Sequence, residues 1–148
     1  MKIFPHTIVS TVSGISIFLI TRSILLGIIT FLSGIFIDID HLLDYFFNEK
    51  KIKLNIKDFF YKCENLKLKK VTLIFHSYEL LILLVLLLLT KYNVIVFGIL
   101  LGFILHIFFD LIFNCGNLMT YSFIYRVIHK FEFKQIFNNK KITIKNNG

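Results

Sequence analysis

Four apolar runs, separated by polar interruptions of unequal length, set the pattern of this chain. Residues 4–20 are apolar or small apart from Pro5, His6 and scattered Ser and Thr; Thr21-Arg22-Ser23 breaks the run, and 24–37 is apolar again. A second pair covers 71–90 and 94–113, split by Lys91-Tyr92-Asn93, with Leu80–Leu89 wholly aliphatic. Sustained apolar runs of this kind predict helices in an apolar surrounding. The first two, at about 14 to 17 residues, fall short of the ~20 that cross ~30 Å of hydrocarbon upright. They fit a tight hairpin of two spans or a re-entrant hairpin. The two-span form is preferred, because a single bent helix would leave Arg22 at mid-membrane. The pattern therefore predicts an all-α, integral-membrane bundle of about four short transmembrane helices, forming one membrane domain over 1–148.

Between the pairs lies a stretch of different character. Residues 42–70 carry eight lysines with Asp44, Glu49, Asp58 and Glu64, and the aromatic pairs Phe46-Phe47 and Phe59-Phe60. Aromatics beside lysines suit an interfacial amphipathic segment, and a solvated loop with a small helix fits equally. Residues 114–148 read as a basic tail, frayed beyond Asn138. Gly98 and Gly102 stand at small-xxx-small spacing, which permits close helix approach.

Composition supports lipid as the main surrounding. Hydrophobic residues make up 56% of 148, with 18 Phe and one Pro, and the mean hydropathy is +0.75, above the apolar share of soluble domains. Charge then orients the bundle. The net +8 is uneven: Lys2, the eight lysines of 50–70 and six basic residues from Arg126 to Lys145 make 15 of the 17 Lys and Arg. With four spans these all face one side, leaving only Arg22 and Lys91 on the other. The positive-inside rule makes the basic side cytoplasmic, with both termini there, in a bacterial-type inner membrane. Basic blocks flanking apolar spans point to the bilayer and its anionic lipids as partners, ahead of nucleic acid. Lys2 precedes a run with no small-residue cleavage site, so a retained first span is expected. Cys63 and Cys115 show neither pairing nor zinc-like spacing, which suits a reducing side of the membrane.

The candidate chemistry sits where apolar sequence gives way to charge. Asp38-Ile39-Asp40-His41 closes the second run; His6 opens the first; His76-Ser77 lies near the start of the third; His106 and Asp110 stand i, i+4 on the fourth. An ionisable residue within an apolar span costs roughly 2.5 to 3.5 kcal/mol, so each is a functional candidate by default. On the four-span topology His76 lies ~9 Å into the third span at about 1.5 Å per residue. All seven then reach one layer below the cytoplasmic interface. Singly, each has a plainer role: His6 as a core histidine, Asp38 and Asp40 as a helix end, His106 with Asp110 as a structural pair. His129, in the basic tail, reads as solvated. Jointly they predict a metal site of His6, Asp38, Asp40, His41, His76, His106 and Asp110. Imidazole and carboxylate without thiolate favour zinc, then manganese or iron, and the number of donors permits one or two divalent ions. Asp44 and Glu79, near Asp40 and His76, are candidates for a general base or for outer-sphere support.

These elements, in this order, resemble the YdjM-like family of bacterial membrane-bound metal-dependent hydrolases (LexA-regulated, DUF457-type). That family combines an early His, a Pro-Asp-x-Asp-His element, a Thr-His-Ser element and a late Gly-x-x-x-His-x-x-x-Asp element. Here Ile37 replaces the Pro, Phe75 the Thr, and Val71-Thr72 stand where many members have His-Arg. The late element also resembles one in zinc-dependent phospholipase C and P1-type nucleases. The resemblance implies metal-dependent hydrolysis of a phosphoester near the cytoplasmic leaflet. The rival expectation is a non-enzymatic membrane protein whose polar cluster is structural or carries metal or protons.

Overall fold

The computed structural model describes residues 3–49, 55–64, 68–113 and 117–137. Among them the architecture is all-helical: α1 (Ile3–Thr21), α2 (Ile24–Phe36), α3 (Ile39–Glu49), α4 (Ile56–Glu64), α5 (Tyr78–Thr90), α6 (Val94–Phe113), a 3-10 turn (Leu118–Tyr121), α7 (Phe123–Ile128) and α8 (Phe133–Ile136). The thiols of Cys63 and Cys115, and the tail beyond Phe137, lie outside the described residues.

The predicted break at 21–23 is where the chain turns. Arg22 takes a left-handed φ of 58°, and the Ser23 side chain accepts from the Leu26 N–H to start α2. An N-cap hydroxyl satisfies a donor that the first helical turn leaves unpaired. At its other end α2 does not give way to a loop at residue 42, as expected. It passes through a tight turn at Ile37-Asp38 into α3 and stays helical to Glu49. By length and apolarity two helical stretches can cross a membrane, Ile24–Asn48 and α6, while α1 and α5 are shorter apolar helices.

The third expected span is also redrawn. Residues 71–90 are helical only from Tyr78, so α5 has 13 residues and covers about 20 Å at 1.5 Å per residue. Val71–Ser77 is non-helical because side chains supply its hydrogen bonds. Asn48 Oδ1 accepts the N–H groups of Lys69 and Lys70, Asp44 accepts that of Thr72, and Asp40 accepts those of Phe75 and His76. These three residues stand at i, i+4 and i+8 on one face of α3, so a single helix edge clasps the whole segment. Ser77 then caps α5 through the Leu80 N–H.

The expected tail likewise folds in part. Val71 N–H donates to the Phe131 carbonyl and Phe133 N–H to Lys69, forming an antiparallel bridge between Lys70 and Glu132. Beneath it Leu68, Val71, Leu73 and Phe133 make a small apolar core. A larger core joins Ile37, Leu84, Leu100, Phe103, Ile107 and Tyr121.

Helix α2 is central, packed against α1 on one side and α6 on the other. Gly102 makes the second contact possible. A Cβ there would overlap the Ser33 hydroxyl and lie 2.6 Å from the Thr30 carbonyl oxygen. The small-xxx-small pair of α6 thus serves close approach to α2, and at Gly102 the obstacle is backbone that cannot rotate away. Gly102→Ala is expected to cost about 1 to 3 kcal/mol, lowering the unfolding midpoint in detergent. Gly98→Ala, whose Cβ would meet mainly the Ile29 side chain, should cost less. Equal midpoints for the two variants would refute this account of the α2–α6 contact.

Candidate metal centre

Each of the four apolar runs delivers side chains to one buried cluster. His6 comes from α1, Asp38 from the α2–α3 turn, His41 from α3, His76 from the clasped segment, and His106 with Asp110 from α6. His76 is 0% exposed and Asp110 1%, whereas Ile20 and Leu89, on the outer faces of α1 and α5, are each 77% exposed. The polar cluster is interior, and large apolar side chains are exposed on the outer faces.

Hydrogen bonding fixes which atoms face inward. His106 Nδ1 lies 2.7 Å from the Gly34 carbonyl oxygen. A carbonyl only accepts, so Nδ1 carries the proton and Nε2 is left as a lone pair. His76 Nδ1 lies 3.3 Å from Asp40 Oδ2, an oxygen already accepting two backbone N–H groups, so this nitrogen donates as well, and only in the neutral ring is its Nε2 a lone pair. The two Nε2 atoms face each other at 3.3 Å. Two lone pairs at that separation repel unless a cation or a proton sits between them.

Carboxylates complete the surround. Asp38 Oδ1 is 3.4 Å from His106 Nε2 and 3.6 Å from His76 Nε2; Asp110 Oδ2 is 3.9 and 3.8 Å from the same atoms. Donors bound at 2.0–2.2 Å around a tetrahedral ion lie about 3.3 to 3.6 Å apart, so these separations are at or a few tenths of an ångström above that size. Asp38 Oδ1 is buried without a hydrogen-bond partner, which leaves its lone pairs open to coordination. Two triads fit a metal, His6 with His106 and Asp110, and Asp38 with His76 and His106. His6 Nε2 stands 3.4 Å from Asp110 Oδ1, with its ring stacked on His106 at 4.8 Å. His41 flanks the other side. Its Nε2 is buried without a hydrogen-bond partner, 3.8 Å from Asp38 Oδ1. The buried His/Asp groups can therefore hold a metal ion. The cluster is least enclosed at Asp38 and His41, whose side chains are 17% and 13% exposed.

Five of the seven expected ligands thus present a donor atom to this space, and His41 stands beside it. Asp40 faces away from it, since its Oδ2 holds the backbone of Phe75 and His76 and orients the His76 ring. Carboxylates that anchor a ligating imidazole in this way fix its tautomer and raise its basicity. Neither candidate base is aimed at the cluster. Both oxygens of Asp44 accept from Thr72 N–H at 3.0 and 2.9 Å. Glu79 accepts from the Ser122 hydroxyl at 2.7 Å and from the N–H groups of Phe123 and Ile124 at 2.8 and 3.1 Å, capping α7.

Three functional groups escaped the sequence reading. The Gly34 carbonyl carries no sequence signal. Asn48 had one, its i, i+4, i+8 register with Asp40 and Asp44. Arg126 had another, as the single charge within the apolar run of α7. Its side chain is 0% exposed and its Nη2 donates to the His76 carbonyl at 3.2 Å. Burial pulls the guanidinium down to about 10, opposed by the charges of Asp40, Glu79 and Asp44, and it stays cationic at neutral pH.

Support and ligation should separate by mutation. Asp44→Ala strands the Thr72 N–H and is expected to cost about 1 to 3 kcal/mol of stability. Asp38→Ala removes a donor facing the cluster and should abolish metal uptake while sparing the metal-free fold. Unfolding midpoints and metal-to-protein ratios of the two variants, read side by side, test this; metal retained in Asp38→Ala would refute the assignment. Compared with known protein families, with curated proteins and with solved structures, the chain matches none.

Proposed function

We propose that this chain is an integral-membrane, metal-dependent hydrolase acting on a phosphoester at the cytoplasmic face of a bacterial-type inner membrane. The observation that carries it is the convergence of the Nε2 atoms of His76 and His106, 3.3 Å apart and flanked by Asp38 and Asp110. The Nδ1 donors face Gly34 and Asp40, and two imidazole nitrogens and two carboxylates converge in front of the rings.

Location supports the same proposal. The apolar outer faces and polar interior suit a lipid surrounding, with α1 and α5 as the short members of a four-span bundle. On that topology the centre lies on the side holding 15 of 17 basic residues, where anionic substrates gather. The order of the motifs is that of the YdjM-like resemblance.

Zinc suits the imidazole–carboxylate donor set best, with manganese and iron as alternatives, and one or two ions would be held. Asp38, His76 and His106 would hold one ion, with His41 beside them, and His6, His106 and Asp110 would hold the other. When bound, such an ion supplies Lewis-acid polarisation of a phosphoryl oxygen and acidifies water. The chain's own part is orientation and exclusion of water. Asp40 and Gly34 lock the two rings, α6 and α2 wall the site, and the Asp38–His41 edge admits substrate.

Elemental analysis of detergent-purified protein tests this. Wild type should carry about one to two equivalents of zinc, manganese or iron, lost in His106→Ala and not restored by His106→Gln. Hydrolysis of phosphoesters should fall in both variants by at least about a hundredfold. Folded wild type that takes up none of these ions would leave a structural or proton-carrying cluster as the better account.

A further inference from the structure

Among the described residues, buried polar atoms without hydrogen-bond partners include the Thr30 hydroxyl of α2 and two clusters of different chemistry. Asp38 Oδ1 and His41 Nε2 belong to the metal centre. In the segment from the 3-10 turn to α7 the set is different: Arg126 Nε and Nη1, and the Thr120 hydroxyl, all buried and without a hydrogen-bond partner. Arginine nitrogens only donate, so a ligand that satisfies them brings oxygen acceptors, and an anionic one also answers the charge of the guanidinium.

The acids around Arg126 do not fill that role. Asp40, Asp44 and Glu79 are the carboxylates whose charge it feels, yet each is already committed to backbone N–H groups, of residues 75–76, 72 and 123–124 respectively. Among the described residues none forms an ion pair with it. Leaving charged donors unmet in the interior costs more than an ordinary lost hydrogen bond. Its guanidinium lies over the Phe123 ring at 5.9 Å, and the hydrogen bond of its Nη2 to the His76 carbonyl ties it to the metal centre.

We propose that Arg126 is the anion-binding half of this centre, taking the oxygens of a phosphoryl or similar tetrahedral oxyanion on Nε and Nη1. A metal and a guanidinium then flank one substrate group, one polarising it and the other holding its charge. Its use in phosphoester hydrolysis rests on the proposed function, while anion binding by Arg126 does not. Because the guanidinium is enclosed, α7 must move for an anion to enter, and association should be slower than diffusion.

The test is titration of inorganic phosphate into full-length, detergent-solubilised protein, with and without Co(II), for wild type, Arg126→Lys and Arg126→Gln. Wild type should bind phosphate. Arg126→Gln should bind it at least about tenfold more weakly, with Co(II) affinity held within about threefold. Arg126→Lys should fall between, since an ammonium keeps the charge but not the planar array of donors. No phosphate binding by wild type, or equal binding by folded Arg126→Gln, overturns the proposal. So does a tenfold loss of Co(II) affinity with phosphate binding intact, which would make Arg126 a residue that only positions His76. Should Arg126→Gln not fold, unchanged phosphate affinity in folded Arg126→Lys overturns it instead. Displacement of phosphate by phosphatidic acid in mixed micelles, but not by phosphatidylcholine, assigns the anion to a lipid headgroup; no displacement assigns it to a soluble phosphate. Phosphate binding through Arg126 in protein that takes up no metal would retain this inference while removing the hydrolase.

Discussion

A non-helical backbone at the end of an apolar bundle must find hydrogen-bond partners, and much of this structure follows from how segment 69–76 finds them. In hydrocarbon or a dry interior each unmet N–H is costly. Asn48, Asp44 and Asp40 meet them from one edge of α3. The last of these contacts also sets the His76 ring. The same carboxylate therefore closes a backbone requirement and aims a ligand, so the fold cannot lose one without the other. Leu73, with a left-handed φ of 46°, lies within this segment. A left-handed conformation costs a non-glycine residue roughly 1 to 2 kcal/mol, and such strain persists only where surrounding contacts over-determine it.

The centre depends on the helix packing as directly as on this clasp. Gly102 brings α6 against α2, and this close approach lets the Gly34 carbonyl reach His106 across 72 positions of sequence. The polar cluster and the small-residue seam are thus one device. Without the seam the imidazole would turn its protonated nitrogen elsewhere and lose its fixed tautomer.

Much of this was legible in the sequence. The apolar runs, the break at Arg22 and the convergence of His6, Asp38, His41, His76, His106 and Asp110 follow from spacing and charge. What was not legible is how backbone demands consume side chains. Asp40, Asp44 and Glu79 carry the signature of chemistry in one dimension; in three they serve N–H groups 28 to 45 residues away. The third run showed the same limit. Leucine-rich composition from 80 to 89 marks a helix well, but composition cannot say that residues 71–77 have competing partners that keep them out of it. The tail read as solvated because its charge density is high, although Arg126 is the one charge there that turns inward among the described residues.

The contact between Arg126 and His76 also divides the chain by task. Among the described residues, every group that faces the candidate metal space lies at or before residue 110, whereas the donor to the His76 carbonyl comes from α7. Loosening the chain beyond α6 would therefore leave every donor present while releasing the segment that carries one of them.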